Sequence, residues 1–210
     1  MKPKKTGNEF IVSILAVVLL ASALMFGLNV LTGYSVANND EYSLKFGENV
    51  IIEGKNLRLE DVGSNKAVLV SVDGDTTEVS DDCTETANGF GIQTLETKYY
   101  GSNKEKRLAK LRIVSLTGGK SYLVGAGCSI TVNSKNSVQM GKFVKKGNNN
   151  AITLEDVSRN GDVFLNINGV DIILSLTESK SVDDILITNR RSYFSNKFDK
   201  KAALLYVTKN

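Results

Sequence analysis

Histidine and tryptophan are absent from the 210 residues, Pro3 is the only proline, and there are two cysteines, Cys83 and Cys128. Without an imidazole base the chain can build neither a Ser-His-Asp triad nor a Cys-His pair. Serines and lysines are abundant but fall in no recognisable dyad, so the chain reads as non-catalytic, without a cofactor. With proline confined to position 3, glycine, asparagine, aspartate and serine punctuate the rest, which suits short turns between many strands. An excess of one charge is also lacking. Of the formal net charge of +3, residues 1–33 supply +2, and the near-neutral remainder has no electrostatic footprint for nucleic acid. The apolar fraction of 41% is ordinary for globular protein and excludes disorder as the whole state of the chain.

Residues 10–31 run without a charge. As a helix rising roughly 1.5 Å per residue, this stretch is about 33 Å long, enough to cross a hydrocarbon core of about 30 Å. Lys2, Lys4 and Lys5 precede it while Asp40 and Glu41 follow it, which places the N-terminus in the cytoplasm and everything after Leu31 outside. Two alternatives compete with a retained anchor. Ser35-Val36-Ala37 offers a signal-peptidase site, although the apolar core is longer than the roughly 7 to 15 residues of a secretory signal. Lys4-Lys5-Thr6-Gly7 followed by an apolar helix is similar to a type IV prepilin leader, with Glu9 at the second rather than the fifth position after the cut.

An internal repeat organises the exported part. Leu59-Glu60-Asp61-Val62 recurs as Leu154-Glu155-Asp156-Val157, and Val68, Val70, Val72, Asp73 and Gly74 fall on Val163, Leu165, Ile167, Asn168 and Gly169. Shifted by two positions, Tyr100, Ser102, Asn103 and Lys104 match Tyr193, Ser195, Asn196 and Lys197, and Ala109, Leu111 and Val114 meet Ala202, Leu204 and Val207. The alternating Val, Leu and Ile have the period of two of half-buried strands. Asp73-Gly74 and Asn168-Gly169 are the dipeptides that most readily form a two-residue hairpin turn. A helix near residues 182–187 stays open beside the strand reading.

Asp73, Asp75, Glu78, Asp81 and Asp82 gather oxygen ligands of the kind calcium takes, but Asp75 and Glu78 become Val170 and Ile173 in the second copy, so a solvated turn is expected and no metal. Glu60-Asp61 and Glu155-Asp156 are expected to receive backbone donors in a turn rather than to act as acid and base. The tyrosine segments at Tyr100 and Tyr193 are expected to be structural corners. Cys83 and Cys128 are either bridged, as the exported compartment allows, or buried apart as small apolar residues. Residues 34–116 hold 10 basic and 14 acidic residues, and residues 117–210 hold 13 and 8. That split gives the copies opposite signs and marks Lys142, Lys145 and Lys146 as a candidate interaction patch.

The lysine-flanked leading helix, the Leu-Glu-Asp-Val blocks, the alternating strands and the Asp/Asn-Gly turns resemble small uncharacterised archaeal cell-surface proteins with an N-terminal anchor and tandem β-domains. They are distantly similar to surface-layer β-sandwich domains. The expected fold class is all-β, two tandem antiparallel β-sandwich repeats after one N-terminal transmembrane helix. The expected division is a basic cytoplasmic tail (1–9), the transmembrane helix (10–31), a linker (32–41), the first copy (42–116), a hinge (117–120) and the second copy (121–208). The expected function is that of a single-pass structural or interaction protein of the cell envelope, whose partners are the membrane and other envelope proteins or further copies of itself. A pilin-like filament subunit and a secreted β-domain protein are the alternatives.

Overall fold

The computed structural model describes residues 40–116, 118, 120–132, 138–141 and 150–209. The proposed transmembrane helix and the Lys142, Lys145 and Lys146 patch lie outside the described residues. Among those described, no helix is long and apolar enough to cross a membrane.

The described chain is all-β, and Asp40–Asn210 forms one compact unit. In the first copy the strands are β1 (Glu41–Lys45), β2 (Asn49–Ile52), β3 (Lys55–Val62), β4 (Val68–Val72), β5 (Asp75–Val79), β6 (Thr84–Ala87), β7 (Phe90–Lys98) and β8 (Leu108–Ser115). In the second they are β9 (Ser121–Gly125), β10 (Ser129–Val132), β11 (Val138–Gly141), β12 (Asn150–Val157), β13 (Val163–Ile167), β14 (Val170–Leu174), β15 (Ser179–Val182), β16 (Ile185–Tyr193) and β17 (Ala202–Lys209). The first copy makes two antiparallel sheets, β2-β3-β4-β5 and β1-β8-β7-β6. The second repeats them as β10-β12-β13-β14 and β9-β17-β16-β15, with β11 added on the edge of β10. Residues 182–187 belong to strands β15 and β16 and the turn between them rather than to a helix.

Alternation explains the two cores. Leu57, Leu59, Val68, Val70 and Val72 are buried with Phe90, Ile92 and Leu111, and Ile152, Leu154, Val163, Leu165 and Ile167 with Ile187 and Leu205. Burying Val62 after Leu59, or Val157 after Leu154, breaks a strict period of two. A β-bulge supplies the extra residue: the register of β3 against β4 shifts between Leu59 and Asp61, and that of β12 against β13 between Leu154 and Asp156. Asp73 and Gly74 have φ of 51° and 93°, and Asn168 and Gly169 have 54° and 94°. Both dipeptides thus form the two-residue hairpin turn that needs positive φ at each central position.

One expected correspondence is corrected. The corner between β7 and β8 is one residue longer than that between β16 and β17, so Ala109, Leu111 and Ile113 face their core as Ala203, Leu205 and Val207 face theirs. Ala202 and Leu204, which the repeated blocks aligned with Ala109 and Leu111, lie on the opposite face with Leu123 and Val114, because a slip of one residue reverses a strand's faces.

Candidate functional site

The bulge residues build the same corner twice. The Asp61 carboxylate accepts the Val62 N–H at 2.8 Å and pairs with Arg107, whose guanidinium lies 4.5 Å from the ring centroid of Tyr99. The Asp156 carboxylate accepts the Val157 N–H at 2.8 Å and pairs with Lys201 at 2.6 Å, and the Lys201 ammonium lies 5.1 Å from the ring centroid of Phe194. Burial would raise the Asp61 carboxyl, but the Arg107 and Val62 donors hold it below the ordinary range. The Lys201 bond does the same for Asp156. Each corner ties the bulged strand to the start of the copy's last strand through a carboxylate, a cation and a ring, so the aspartate of each repeated acidic pair receives its backbone donor at a bulge rather than in a turn. The aromatic partners are Tyr99 and Phe194. Tyr100 is exposed in a turn, and Tyr193 serves elsewhere.

That other place is the joint between the copies, where the outer face of β6, β7 and β8 meets β9, β17 and the turn before β17. Gly91 makes room for it, since a Cβ there would come 2.5 Å from that of Leu123. Arg112, only 4% exposed, donates to Gln93 Oε1 at 2.6 Å, to the Lys200 carbonyl at 3.0 Å and to Glu41 at 3.2 Å. Its guanidinium lies 4.4 Å from the Tyr193 ring centroid. Gln93 donates in turn to the carbonyls of Asp199 and Lys201, and Thr84 to that of Leu123. From the second copy Lys200 reaches Asp81 at 3.0 Å, and the Cys83–Cys128 disulfide lies beside them. Asp40 joins the same network: its carboxylate accepts from Arg191 and from the Tyr193 hydroxyl, each at 2.6 Å.

Electrostatics follow burial and pairing. Desolvation draws the Arg112 guanidinium below its ordinary value against the pull of Glu41, and burial, helped by Asp40, pushes the Tyr193 phenol upward. Burial opposes the charge on Lys200, but Asp199 and Asp81 outweigh it and raise its pKa. Comparison with known protein families, curated proteins and solved structures finds no match. The functional reading therefore rests on the residues themselves.

Of the residues singled out in the sequence, Cys83 and Cys128 are brought together as a bridge spanning 45 positions. Asp73 and Gly74 form a turn, with Asp73 accepting the Asn56 N–H at 2.8 Å. Glu78, Asp81 and Asp82 line an open hollow of about 450 Å³ with Ser64, Asn65, Lys66, Ala67 and Ser80. Among the described residues no group of three acidic or cysteine side chains could hold a metal ion. Sequence reasoning missed Gln93, Arg112 and Lys200, which stand on strand faces and turns like any surface residue. The one available signal was an arginine and a glutamine next to core positions of strands that pair in the sheet.

The residues of the joint are not repeated at the equivalent positions of the other copy. Where the second copy offers Leu123 and Gly125 to it, the corresponding positions of the first copy are Ser43 and Lys45. Where the first copy offers Gly91, Gln93 and Arg112, the second has Leu186, Thr188 and Tyr206. The buried Gln93–Arg112 bridge thus has no counterpart at those positions.

Proposed function

We propose that the chain is a non-catalytic structural or interaction protein of the cell envelope, anchored by residues 10–31 with the β-unit beginning at Asp40 outside the membrane. The observation that carries this reading is the Cys83–Cys128 bridge, because disulfides persist in exported proteins and are rare in reducing compartments. The joint fits the same role. Two sandwiches joined by a disulfide, a buried arginine and a bound Asp40 suit presenting surfaces rather than closing on a substrate.

The test is to shave intact cells with protease, separate membranes, and sequence the mature N-terminus. Retention of residues 1–31 in the membrane fraction with loss of the β-unit to protease supports the reading. A mature terminus at Asn38 would make the protein secreted, and one at Asn8 would make it pilin-like.

A further inference from the structure

The corner of the second copy lies beside the residue at which the β-unit begins. Asp40 accepts from the Tyr193 hydroxyl at 2.6 Å, and the next residue, Phe194, supplies the ring of that corner. Phe198 opens the 3-10 turn Phe198–Lys200 before β17, with its ring edge against Gly127. Gly127 donates to the Leu154 carbonyl, and Lys201, beside the Phe194 ring, pairs with Asp156, so both rings lie around the one bulge of β12. They are nevertheless exposed to 38% and 52%. The Arg159 guanidinium lies 5.5 Å from the Phe194 ring centroid, and the exposed Lys197 immediately precedes Phe198. Asp156 and Asp199 are each paired with a lysine of the corner, so Arg159 and Lys197 add positive charge beside the rings, with Glu155 as an exposed acid among them. The first copy's corner is built differently and lies elsewhere. Its 3-10 turn opens on Lys104 where the second copy has Phe198, with Tyr99 for Phe194 and Ser64 for Arg159. Because Glu41 pairs with Arg112 and Lys45 with Leu108, the whole of β1, about 17 Å at 3.4 Å per residue, separates Asp40 from that corner. Phenylalanine thus stands at the corner next to Asp40, and tyrosine and lysine at the one remote from it.

We infer that Phe194 and Phe198, flanked by Arg159 and Lys197, dock the β-unit on the surface of a bilayer that contains anionic lipid. The inference rests on the reading of residues 10–31 as an anchor. Residues 32–39 then join the anchor to Asp40, and a stretch of this length spans at most about 29 Å, so Asp40 and the corner bonded to it stay within reach of the headgroups. Exposed rings with basic neighbours are the combination that a membrane interface takes up. The rings leave water at the boundary between headgroups and acyl chains, while the arginine and lysine heads remain among the phosphates. Each basic side chain near an anionic surface strengthens the contact about fivefold. Two rings and two cations make only a weak site in solution. The tether turns the contact into an intramolecular one, for which weak affinity suffices. The corner of the first copy, polar and a strand's length away from Asp40, takes no part.

The chain has no tryptophan, so Phe198→Trp provides a sole fluorescent reporter. The full chain carrying it is reconstituted into vesicles of phosphatidylcholine and phosphatidylglycerol whose acyl chains are brominated. Quenching by the brominated chains and a blue-shifted emission are expected, whereas Tyr100→Trp, on the first copy's corner, should show neither. Adding Arg159→Glu and Lys197→Glu to Phe198→Trp should lower the docked fraction at least about fivefold, and vesicles of phosphatidylcholine alone should weaken quenching in the same direction. Asn196→Trp, exposed in the same segment, takes the place of Phe198→Trp should that variant fail to fold. Flotation of the vesicles reports separately on the anchor. A chain that floats with its corner quenched no more than Tyr100→Trp overturns the docking and leaves the anchor standing. A chain that does not float overturns both.

Discussion

Arg112 shows how one side chain can carry a joint. Its guanidinium satisfies a carboxamide, a carbonyl and a carboxylate drawn from both copies, and truncation leaves all three facing each other in a nearly dry space. Arg112→Ala should cost roughly 3 kcal/mol, the lower end for a broken buried pair because Glu41 keeps Lys110. Chemical denaturation of the full chain measures it. Gly91→Ala acts on the same joint by volume: its Cβ would collide with Leu123, and about 1–3 kcal/mol of overpacking strain is expected, read as a lower denaturant midpoint. Titration behaves differently. Glu41 feels burial first, but bonds from Lys110 and Arg112 hold it below the ordinary range, as Lys200 does for Asp199 and the corner cations do for Asp61 and Asp156. Depressed carboxylates contribute stability that is present above their unfolded pKa values of about 4 and is lost as pH falls through the folded values. Glu85, raised by burial, opposes the trend. Thermal unfolding should therefore change little between about pH 5 and 7 and fall steeply below about pH 4, and Asp61→Asn with Asp156→Asn should flatten that fall.

At the scale of the element, the hairpin and the bulge divide the labour of fixing the sheets. The turn sets which residues of β13 and β14 are opposed, and the bulge lets Leu154 and Val157 enter one core although they are three apart. Gly169→Ala forces a Cβ into a backbone at φ 94°, and a loss of about 1–2 kcal/mol is expected from thermal melts, with Gly74→Ala at φ 93° costing the same. Leu-Glu-Asp-Val was legible as a repeated block, but its meaning was not. A bulge is defined by what lies across the ladder, and no property of Glu60 and Asp61 alone says which residue the partner strand will skip. The same holds for the corner. Tyr-x-Ser-Asn-Lys drew attention by identity, whereas the matched positions are Tyr99 and Phe194, held by a cation that is arginine in one copy and lysine in the other.

The molecule as a whole depends on a covalent tie and a non-covalent one at the same joint. The bridge closes a loop of 45 positions, for which the chain-entropy model gives about 4 kcal/mol as an upper figure. Each copy keeps its own core and ladders, so Cys83→Ala with Cys128→Ala should lower the melting temperature of the full chain while retaining its strand signal in circular dichroism. Strand content, the two-copy arrangement and the hairpin turns were determined by the sequence itself, because alternation, positive-φ dipeptides and repetition are local properties carried by neighbouring residues. Tertiary structure alone decided that the cysteines meet and that Arg112 and Gln93 are buried rather than solvated. Those facts turn on which outer sheet face lies against which, and a strand's own pattern distinguishes its two faces without saying whether the second one meets water or another sheet.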